Sequence, residues 1–433
     1  MTIKEMRKTT ALALGLTVSL LMTTFIVPAH ADMVAPQTNV SSCQTISQEG
    51  TYDLTQNITT PGTSPCINIT GLTGAWPYYV QLNCQGHSIT NAYDPGTNVN
   101  ASVTTVTIGN NSPNDVVYLQ NCTFSAPKLG QLGDGGAIIA SKDTVLDVQS
   151  STFNNVQFFV DCTNPDDIQH MAIFNNNTFN NSTLQDNQCV GSINGNTFGN
   201  LTIPMASGIG DLLTILSTNF TKVTNNTLLS ALNTTSNTLS VASNPNVPPG
   251  RPLMDDGFVF SQQVPGDVAG RNLDIENNTL SNYWDTCMEA LGPWTNVTMK
   301  NNTCNNSVNG IFGHYFNASL DHFDVENNTL TEPAGTYNHI FLIEPVTAGT
   351  QYPYYFTNNT FINNTATGGS QLDADFGKNQ FSTYSGNYFK GNTLAYGNGY
   401  VSFQSASGII DGGGNQCEGA LNIYPSSGVI NCN

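Results

Sequence analysis

Charged residues are scarce in this sequence of 433 residues. They make up 9% of it, against about 25% in an ordinary soluble protein, so asparagine, threonine, serine and glutamine must keep the surface polar. Basic residues are scarcer still: 11 Lys and Arg stand against 30 Asp and Glu, and the formal net charge is −19. A chain this acidic repels nucleic acid and anionic membrane surfaces, so neither is an expected partner. It also repels polyanionic glycans, which favours a neutral glycan or a site at which calcium bridges the charges.

Two further absences narrow the possible sites. There is no Cys-x-x-Cys pair, so neither a zinc site nor a thioredoxin-like redox site is indicated. After residue 31 no segment approaches the roughly 20 apolar residues of a membrane-spanning helix, so no span is expected in the mature chain. No phosphate-binding loop and no regular calcium-binding repeat occurs. We therefore predict no cofactor, and calcium stays open without a motif to support it.

What is abundant is a short repeat, Asn-Asn-Thr followed by an apolar residue. It occurs at 176–179, 225–228, 277–280, 301–304, 327–330 and 358–361, with looser copies at 121–124, 195–198 and 391–394. The threonines at 279, 303, 329 and 360 are 24, 26 and 31 residues apart. Repeats of this length, with short alternating apolar and polar segments and no helical periodicity, indicate a β-solenoid in which each coil buries its apolar face against the next.

The asparagines indicate how each coil turns. Asparagine tolerates the left-handed backbone conformation that a tight turn between strands needs, and stacked asparagine side chains can hydrogen-bond from coil to coil. The threonine and the apolar residue after it then start the next strand and point inward. Many of these triplets also match the N-glycosylation sequon. We interpret that match as coincidence, because a ladder asparagine packed between coils would be inaccessible.

The N-terminus has the composition of an export signal. A basic start at residues 4–8 precedes an apolar segment, and Ala29-His30-Ala31 has the small-x-small pattern of a cleavage site. We predict that residues 1–31 are a signal peptide cleaved after Ala31, and that 32–42 form a flexible leader. The mature chain is then secreted or periplasmic. The alternative is an uncleaved membrane anchor.

The cysteines agree with export. All ten lie after residue 31, and an even number in an exported chain suggests disulfides. Cys162 and Cys189 are about one repeat apart, which would place them on neighbouring coils. We predict sequential pairing: Cys43–Cys66, Cys84–Cys122, Cys162–Cys189, Cys287–Cys304 and Cys417–Cys432. The alternative is that some of the ten are buried thiols.

The segment from Cys43 to Ile89 carries a resemblance to a known fold family. Its order is Gly50-Thr51-Tyr52-Asp53-Leu54, then Cys66-Ile67-Asn68-Ile69, then V-x-L-x-C-x-G-H-x-I from Val80 to Ile89. This order resembles the opening coils of the pectin-lyase-like superfamily of right-handed parallel β-helices. It is especially similar to the periplasmic branch typified by the copper-site maturation protein of nitrous oxide reductase.

The resemblance and the repeat together imply the fold class and its parts. We predict an all-β chain with a single domain, a right-handed parallel β-helix over 43–433. Within it, 43–90 are the first coils and N-terminal cap, and 409–433 are the C-terminal closure. The proline-containing stretch 233–271 interrupts the repeat, so we expect a loop excursion there.

Counting back from the coil threonines places three polar residues in one column. Glu289, His314 and Glu344 lie 14, 15 and 16 residues upstream of the threonine of their repeats. Neighbouring coils are about 4.8 Å apart, so the two glutamates are expected roughly 10 Å apart with the histidine between them. Inverting glycoside hydrolases hold two carboxyl groups about 6.5–9.5 Å apart so that a water fits beneath the sugar. This column is the predicted catalytic site of a polysaccharide hydrolase.

Acidic and aromatic residues near the column extend this hypothesis. Asp285 is a further catalytic candidate, and Asp255 and Asp256 are secondary ones, although Asp-Asp-Gly is also a good turn. His322 and His339 are weaker candidates, and polar columns on solenoids also serve solubility alone. The predicted substrate-binding residues are flat aromatics, which suit a sugar groove: Trp284, Trp294, Tyr315, Tyr337 and Tyr352.

The known activities of the resembled superfamily do not carry over. Its polygalacturonase-like members have an Asn-Thr-Asp, an Asp-Asp, a Gly-His-Gly and an Arg-x-Lys; here only Asp255-Asp256 and Gly313-His314 match in part. Its pectate-lyase-like members need a calcium cluster with an arginine base, and the mature chain has only Arg251 and Arg271. The hypothesis is an exported carbohydrate-active β-helix, a hydrolase more than a lyase. The alternative is a non-enzymatic β-helix that binds a glycan or a protein partner, and no oligomeric state is indicated.

Overall fold

The computed structural model describes residues 37–60, 62, 64–73, 79–92, 104–109, 115–127, 137–141, 144–162, 171–199, 211–216, 218–238, 248–253, 256–261, 270–312, 319–332, 337–343, 355–368, 371–376, 381–419, 422–424 and 429–432. The chain divides into two compact units, Met1–Gln37 and Thr38–Asn433. The predicted signal peptide lies outside the described residues. The predicted leader is described from Gln37, and there it forms a strand rather than a loose segment.

The described residues form 42 strands and one short 3-10 helix at Ala406–Gly408. The first strands are β1 (Gln37–Val40), β2 (Gln44–Gln48), β3 (Gly50–Leu54), β4 (Ile58–Thr60), β5 (Ile67–Thr73), β6 (Tyr79–Asn83), β7 (Ser88–Asn91), β8 (Thr104–Gly109), β9 (Asp115–Gln120), β10 (Thr123–Ser125), β11 (Ala137–Ser141), β12 (Thr144–Gln149), β13 (Thr152–Asn154) and β14 (Gln157–Asp161). The middle strands are β15 (Met171–Asn175), β16 (Thr178–Asn180), β17 (Thr183–Asn187), β18 (Val190–Asn194), β19 (Thr197–Gly199), β20 (Asp211–Leu216), β21 (Asn219–Thr224), β22 (Thr227–Leu229), β23 (Asp256–Ser261), β24 (Gly270–Glu276), β25 (Thr279–Thr286), β26 (Met288–Leu291), β27 (Pro293–Lys300) and β28 (Thr303–Phe312). The last strands are β29 (Ser319–Glu326), β30 (Thr329–Glu332), β31 (Tyr337–Ile343), β32 (Tyr355–Thr357), β33 (Thr360–Ile362), β34 (Thr365–Gly368), β35 (Gln371–Phe376), β36 (Thr383–Ser385), β37 (Asn387–Lys390), β38 (Thr393–Gly397), β39 (Tyr400–Phe403), β40 (Ile409–Asp411), β41 (Gln416–Glu418) and β42 (Asn422–Tyr424).

These strands belong to three sheets, and the order along each sheet follows the chain. Sheet A runs β1-β3-β6-β9-β12-β15-β18-β21-β24-β27-β29-β33-β37-β40 with β32 and β36 beside it. Sheet B runs β2-β5-β8-β11-β14-β17-β20-β23-β26, and sheet C takes the remaining strands. Neighbouring strands pair in parallel, apart from β35 and β38, and parallel crossovers are right-handed in nearly all proteins. The chain is therefore a right-handed parallel β-helix, which confirms the predicted fold class.

Sheets B and C meet at two long strands, β25 and β28. β25 has 8 residues and β28 has 10, and β28 pairs with β30 through its first part and with β31 through its last part. After β28, the series β31-β35-β39-β42 takes the position that sheet B holds in earlier coils. The strands that carry the predicted site residues therefore run from sheet B into this later series.

The repeat triplet makes the turn between sheets A and C. Its first asparagine takes the left-handed conformation, as at Asn277 (φ 58°) and Asn301 (φ 55°), which asparagine tolerates better than most residues. Its second asparagine is buried, and Asn278 is 2% exposed. The backbone N–H and the Nδ2 of Asn278 both donate to Oδ1 of Asn302, one coil on, at 3.0 Å each. Nδ2 also donates to the Val223 carbonyl one coil back at 2.8 Å, so the amide is paired on both sides.

These contacts form the predicted asparagine ladder. Its rungs are Asn177, Asn196, Asn226, Asn278, Asn302, Asn328, Asn364, Asn392 and Asn415. At the N-terminal end Ser151 takes the rung position: its backbone N–H donates to Oδ1 of Asn177 at 2.9 Å. Its Oγ accepts the N–H of Cys122 at 3.2 Å, and a disulfide joins Cys122 to Cys84 in the coil before. The ladder therefore ends in a covalent link.

One copy of the repeat lies in a different turn. Thr329 pairs in register with Thr365, whereas Thr360 lies in sheet A opposite Asp324. The coil threonine is therefore Thr365, and taking Thr360 for it was wrong. Asn358 takes the same left-handed conformation (φ 56°) as the other turn asparagines, because an additional turn inside sheet A uses the same triplet.

The sequon asparagine is the exposed member of each triplet. In Asn225-Asn226-Thr227 the sequon begins at Asn225, which is exposed, while Asn226 is 1% exposed. The ladder and the sequon thus use different asparagines. The expectation that ladder packing makes the sequon asparagine inaccessible is wrong.

The apolar residue after each coil threonine points into the core. Phe124, Phe153, Phe179 and Phe198 stack with ring centroids 5.2, 4.6 and 4.4 Å apart and are each 0% exposed. The threonines before them pair in register from strand to strand. Since register fixes which side chains meet, the repeat places each ring on the next.

The ten cysteines pair in the sequential order that was predicted. The disulfides are Cys43–Cys66, Cys84–Cys122, Cys162–Cys189, Cys287–Cys304 and Cys417–Cys432. None of the ten is a free thiol. Each bond joins segments that lie near each other along the chain, as stacking of successive coils requires.

The interruption of the repeat is shorter than the stretch 233–271. The N–H of Asn233 donates to the Arg251 carbonyl at 2.7 Å, and the N–H of Gly250 donates back to the Asn233 carbonyl at 2.8 Å, which closes a loop. β23 already belongs to sheet B. At the C-terminal end, β40, β41 and β42 continue sheets A and C, so the described part of 409–433 is a further coil.

Candidate functional site

One row of outward-facing residues in sheet B ends in a glutamate. From β14 to β26 its members pair in register: Phe159, Gln185, Thr214, Val259 and Glu289. Met288 and Ala290, on either side of Glu289, belong to the core, and side chains alternate across a strand, so this row faces away from the core. Glu289 is the only charged member of the row.

Glu289 is withdrawn from solvent although it faces outward. Gln185 and Thr214 in the same row are half-buried, whereas Val259 is 4% exposed and Glu289 is 6% exposed. The outward face of sheet B is therefore covered at its last strands. Glu289 also makes interactions of its own there.

The inward row of the same sheet also contains a single carboxyl. Its members in register are Val160, Asp186, Ile215, Phe260 and Ala290. Asp186 is 0% exposed; its Oδ1 accepts the N–H of Cys189 at 3.1 Å, and its Oδ2 has no partner among the described residues. Burial raises the pKa of Asp186 to about 7 against the pull of that hydrogen bond. Asp186 is thus closed off from any substrate.

Asp256 and Asp285 lie beside the junction of sheets B and C. Asp256 begins β23 and is 7% exposed, and its Oδ1 accepts the N–H of Thr286 in the next coil at 2.9 Å. Asp285 is half-buried, and its carbonyl accepts the hydroxyl of Ser307 at 3.2 Å. Asp256 therefore ties two coils together through its carboxylate, in addition to any part in chemistry.

A row of polar residues continues from this junction along the later strands. Thr286 pairs with Asn309, Asn309 with His339, and His339 with Asp373. The backbone register thus brings a histidine position next to an aspartate position. His339 and Asp373 lie on adjacent strands of the series that follows sheet B.

β35 contains two buried carboxyl groups. Asp373 belongs to this row, and Asp375 lies two residues later on the same strand. Asp373 is 1% exposed and Asp375 is 3% exposed. Oδ1 of Asp373 accepts the N–H of Tyr400 at 2.8 Å, and Oδ1 of Asp375 accepts the hydroxyl of Ser402 at 2.5 Å. Both partners lie on β39, so Asp373 repeats the arrangement by which Asp256 joins two coils.

The predicted catalytic column is described at only one of its three side chains. β26 lies beside β28, and β28 pairs with β31 at Phe312 and Phe341, so the strands leading to the column are neighbours. His314 follows the end of β28 and Glu344 follows the end of β31, and both lie outside the described residues. The pairing of Glu289 with Glu344 stays a prediction.

Other predicted residues are described in part or not at all. Tyr315, Tyr352 and Asp255 lie outside the described residues. Trp284 lies in β25 and Tyr337 in β31, and for these two the backbone alone is described. Their substrate-binding and catalytic roles stay predictions.

Trp294 lies in the core. It is 1% exposed, its ring packs edge-on against Phe260 with centroids 5.1 Å apart, and its Nε1–H donates to the Leu291 carbonyl at 3.2 Å. Gly270 pairs with it in register, and a Cβ at Gly270 would lie 2.4 Å from the indole. The indole shows no face to solvent, so the geometry gives no support to the predicted substrate-binding role.

Metal and membrane signals are lacking in the part of the chain that the structure describes. No group of three or more His, Cys, Asp or Glu within it is arranged to hold a metal ion. No helix within the same ranges is long and apolar enough to cross a membrane. Calcium assistance stays an open expectation.

Sequence reasoning missed Asp186. The run Thr183-Leu184-Gln185-Asp186-Asn187 forms β17, and Leu184 is a core residue. Side chains two apart on a strand share a face, so the carboxyl had to point into the core as well. A two-residue period counted from Leu184 is the signal that finds it.

The comparisons with known proteins concern the fold. The sequence matches no protein-family model and no curated protein. The structure is similar to the Dettilon tailspike protein, at 9% identity over 90% of this chain and 61% of the tailspike, with a TM-score of 0.41. It is also similar to the A-module of the Azotobacter vinelandii mannuronan C-5 epimerase AlgE6 (12% identity, 91% and 93% of the two chains, TM-score 0.44). A third similar structure is the Streptococcus pneumoniae surface protein and adhesin PfbA (10% identity, 90% of each chain, TM-score 0.43). The chain spans less than two thirds of the tailspike, and at these identities the likeness extends to the fold alone.

Proposed function

We propose that this chain hydrolyses a neutral polysaccharide at the outward face of sheet B. The observation that carries the proposal is Glu289, the only charged member of its outward row and 6% exposed. Glycoside hydrolases use a carboxyl group to protonate the leaving-group oxygen, and Glu289 is the carboxyl on this sheet face that the proposal assigns to that role. The net charge of −19 favours an uncharged substrate.

The proposed reaction needs two carboxyl groups. One donates its proton to the glycosidic oxygen as the bond from that oxygen to the anomeric carbon breaks. The other accepts a proton from the water that attacks this carbon from the opposite face, so one proton is given and one is taken. Glu289 is the proposed acid and Glu344 the proposed base. His314 and Asp285 are the proposed supporting groups.

The proposed place of action is outside the cytoplasm. Five disulfides join all ten cysteines, and disulfides persist in oxidising compartments. The basic start and small-x-small site of residues 1–31 agree with secretion or export to a periplasm.

A glycan-degradation screen tests the proposal. Wild type, Glu289→Gln, Glu344→Gln and Glu276→Gln are incubated with neutral polysaccharides, with and without a calcium chelator, and new reducing ends are measured. Glu276 lies on β24 in sheet A and is the matched control. Loss of the acid is expected to slow release by about 100-fold or more, whereas Glu276→Gln is expected to act as wild type. Equal rates in wild type and Glu289→Gln would remove the site.

A second candidate function is glycan or partner binding without cleavage. Asp256 and Asp373 each use a carboxylate oxygen to hold the backbone N–H of the next coil. Part of the acidic column therefore serves the fold. Binding of a glycan by wild type with no release of reducing ends from any polysaccharide would favour this second function.

A further inference from the structure

A second surface lies on the outer face of sheet A near its N-terminal end. It consists of six outward, half-buried side chains on β6, β9 and β12: Tyr79, Gln81, Tyr118, Gln120, Asp147 and Gln149. Gln81, Tyr118 and Asp147 pair in one row, and Gln120 pairs with Gln149 in the next. We name these six residues the tyrosine–glutamine patch. Three strands span about 10 Å, which accommodates one or two sugar rings.

The aromatic part of the patch is a pair of tyrosines. The rings of Tyr79 and Tyr118 have centroids 5.0 Å apart and planes inclined at 48°. Tyrosine combines a flat apolar body with a polar tip, and such residues are enriched where a surface must bind a partner that is apolar on one side and wet on the other. A pyranose has these two sides, C–H groups on its faces and hydroxyls around its edge.

The hydrogen bonds of the patch run in one direction and end in a free donor. The Tyr79 hydroxyl donates to Oε1 of Gln81 at 2.5 Å, and Nε2 of Gln81 donates to Oε1 of Gln120 at 2.9 Å. Nε2 of Gln120 is then the last donor of the series, and within the described residues it has no acceptor. It is available to a ligand oxygen.

The Tyr118 hydroxyl is a second available donor. Burial raises the pKa of Tyr118 to about 12, and the neighbouring Asp147 and Tyr79 add to the rise, so the hydroxyl keeps its proton. Nε2 of Gln149 lies 3.0 and 2.9 Å from the two oxygens of Asp147, which fixes this carboxylate beside Tyr118. Donors and a fixed acceptor thus stand together, as recognition of sugar hydroxyls requires.

The same face of sheet A is different farther along the solenoid. There Lys300 lies 2.8 Å from Asp324 and 3.4 Å from Glu326, and Lys222 lies 3.8 Å from Asp274. Those rows pair opposite charges with each other. The patch has aromatic rings and amides instead, so it is not one more stretch of a uniform polar face.

We propose that the tyrosine–glutamine patch binds a neutral oligosaccharide, as a carbohydrate-binding site separate from the face of sheet B. An anionic glycan is disfavoured by Asp147 and by the net charge of −19, and the patch contains no basic residue to offset them. The tyrosine rings hold one face of the sugar, while Gln120, Tyr118 and Asp147 bond its hydroxyls. The site needs no catalytic group, so it stands whether or not sheet B cleaves glycans.

Calorimetric titration of the full chain tests the proposal. The probes are cellohexaose, xylohexaose and mannohexaose, with hexagalacturonate as the anionic comparison. Tyr118→Ala and Gln120→Ala alter the patch, and Tyr355→Ala is the matched control, since Tyr355 is a tyrosine of sheet A in β32 that is 40% exposed. Glu289→Gln reports on sheet B. Circular dichroism checks that each variant is folded.

The expected result is binding of at least one neutral probe by wild type. Tyr118→Ala is expected to raise Kd about tenfold, or abolish binding, which corresponds to loss of one aromatic contact and its hydrogen bond. Tyr355→Ala is expected to bind as wild type. No binding of any neutral probe, unchanged affinity in both patch variants, or loss of binding in Glu289→Gln alone would each overturn the proposal.

Discussion

The asparagine ladder and sheet B both bury polar side chains, and they do so in opposite ways. Along the ladder, equivalents of Asn278 recur in successive coils from Asn177 to Asn415, and Asn278 gives its amide hydrogens to the coils on either side. In sheet B, Asp186 is alone in its inward row and Glu289 alone in its outward row. Repetition guarantees a partner for a buried polar group, whereas a solitary group must bear its own loss of hydration. Repeated burial therefore builds the fold, and solitary burial points to pH sensitivity or chemistry.

Removal of one rung is expected to have the largest effect. Asn302→Ala takes away the Oδ1 that accepts two bonds from Asn278 and the Nδ2 that donates to the Ile275 carbonyl at 2.9 Å. With the bond from Nδ2 of Asn302 to Oδ1 of Asn328 at 3.0 Å, four buried hydrogen bonds are lost, so the free energy of unfolding is expected to fall by about 5 kcal/mol. Urea unfolding measures the change.

The control for the rung is an exposed asparagine outside the ladder, which has the left-handed conformation of the turn asparagines. Asn296 is exposed with φ 54°, and Asn296→Gly removes its side chain without straining the backbone. It is expected to cost less than about 1 kcal/mol. Similar costs for Asn302→Ala and Asn296→Gly would mean that water replaces the ladder bonds, which would break the comparison.

Asp186 is expected to make stability fall as the pH rises. Its folded pKa of about 7 lies above the ordinary 3.8, so the folded state holds the proton more tightly than the unfolded state does. The stability that Asp186 contributes is therefore fully present below pH 4 and decreases as the pH rises from 4 to 7. Above pH 7 the free energy of unfolding is lower by about 4 kcal/mol than it is below pH 4 on this account.

Asp186→Asn tests this sign, because the amide does not ionise. The free energy of unfolding of the variant minus that of wild type is expected to increase by about 4 kcal/mol between about pH 4 and about pH 8. Asp274→Asn, on the outer face of sheet A beside Lys222, is the matched control for replacing an aspartate by asparagine. Parallel curves for wild type and Asp186→Asn would mean that Asp186 titrates as an ordinary carboxyl.

Substitutions at the first position of the triplet distinguish the effect of backbone conformation on stability from the effect of a side-chain contact. Gly195 stands there with φ 67°, and a Cβ would lie 2.5 Å from Oδ1 of Asn176, the end of a side chain. Gly195→Asn restores the repeat and is expected to change the free energy of unfolding by less than about 1 kcal/mol. Gly195→Val is expected to cost about 2 kcal/mol, because a β-branched residue is strained at this φ. Equal costs, measured by urea unfolding, would show that the contact and not the conformation decides.

The smallest effect on stability is expected at Glu289. Glu289→Gln keeps the size and shape of the side chain, so the free energy of unfolding is expected to change by less than about 1 kcal/mol. Urea unfolding at neutral pH measures it beside the activity assay. A loss as large as that of Asn302→Ala would make Glu289 a structural residue of the same kind as the ladder.

The repeat could be predicted because its signals are local. A left-handed asparagine, a buried asparagine and an inward phenylalanine recur in the same order, and each has a preference that its own residue type dictates. Register is not local. Thr360 follows the same two asparagines as the other coil threonines, yet it belongs to sheet A, and Thr365 is the equivalent residue. From Thr365 the count to Glu344 is 21 residues, so counting supports the column for Glu289 and His314 only.

The candidate site was harder to predict because the position of a residue in the sequence does not show on which face of a sheet its side chain lies. Trp294 is close along the chain to Glu289, which suggested a shared groove, but its strand alternation turns the indole into the core. Asp186 lies in an apolar row, between its register neighbours Val160 and Ile215. Both side chains are placed by the two-residue alternation of their strands, and pairing between coils fixes which side of each strand faces the core.

The asparagine ladder also has a direction. From Asn177 to Asn392, each Nδ2 donates one hydrogen bond to Oδ1 of the next rung toward the C-terminus, so each Oδ1 faces the N-terminal coils. Dipoles aligned head to tail add up, as peptide dipoles do along an α-helix, while the dipoles within β-sheets largely cancel. The column therefore has an axial dipole whose positive end is at Asn415, and there Nδ2 of Asn415 donates to the carboxylate of Asp411 at 3.0 Å. The last coil thus places an acidic side chain where the field of the column is most positive, as acidic residues do at the start of a helix.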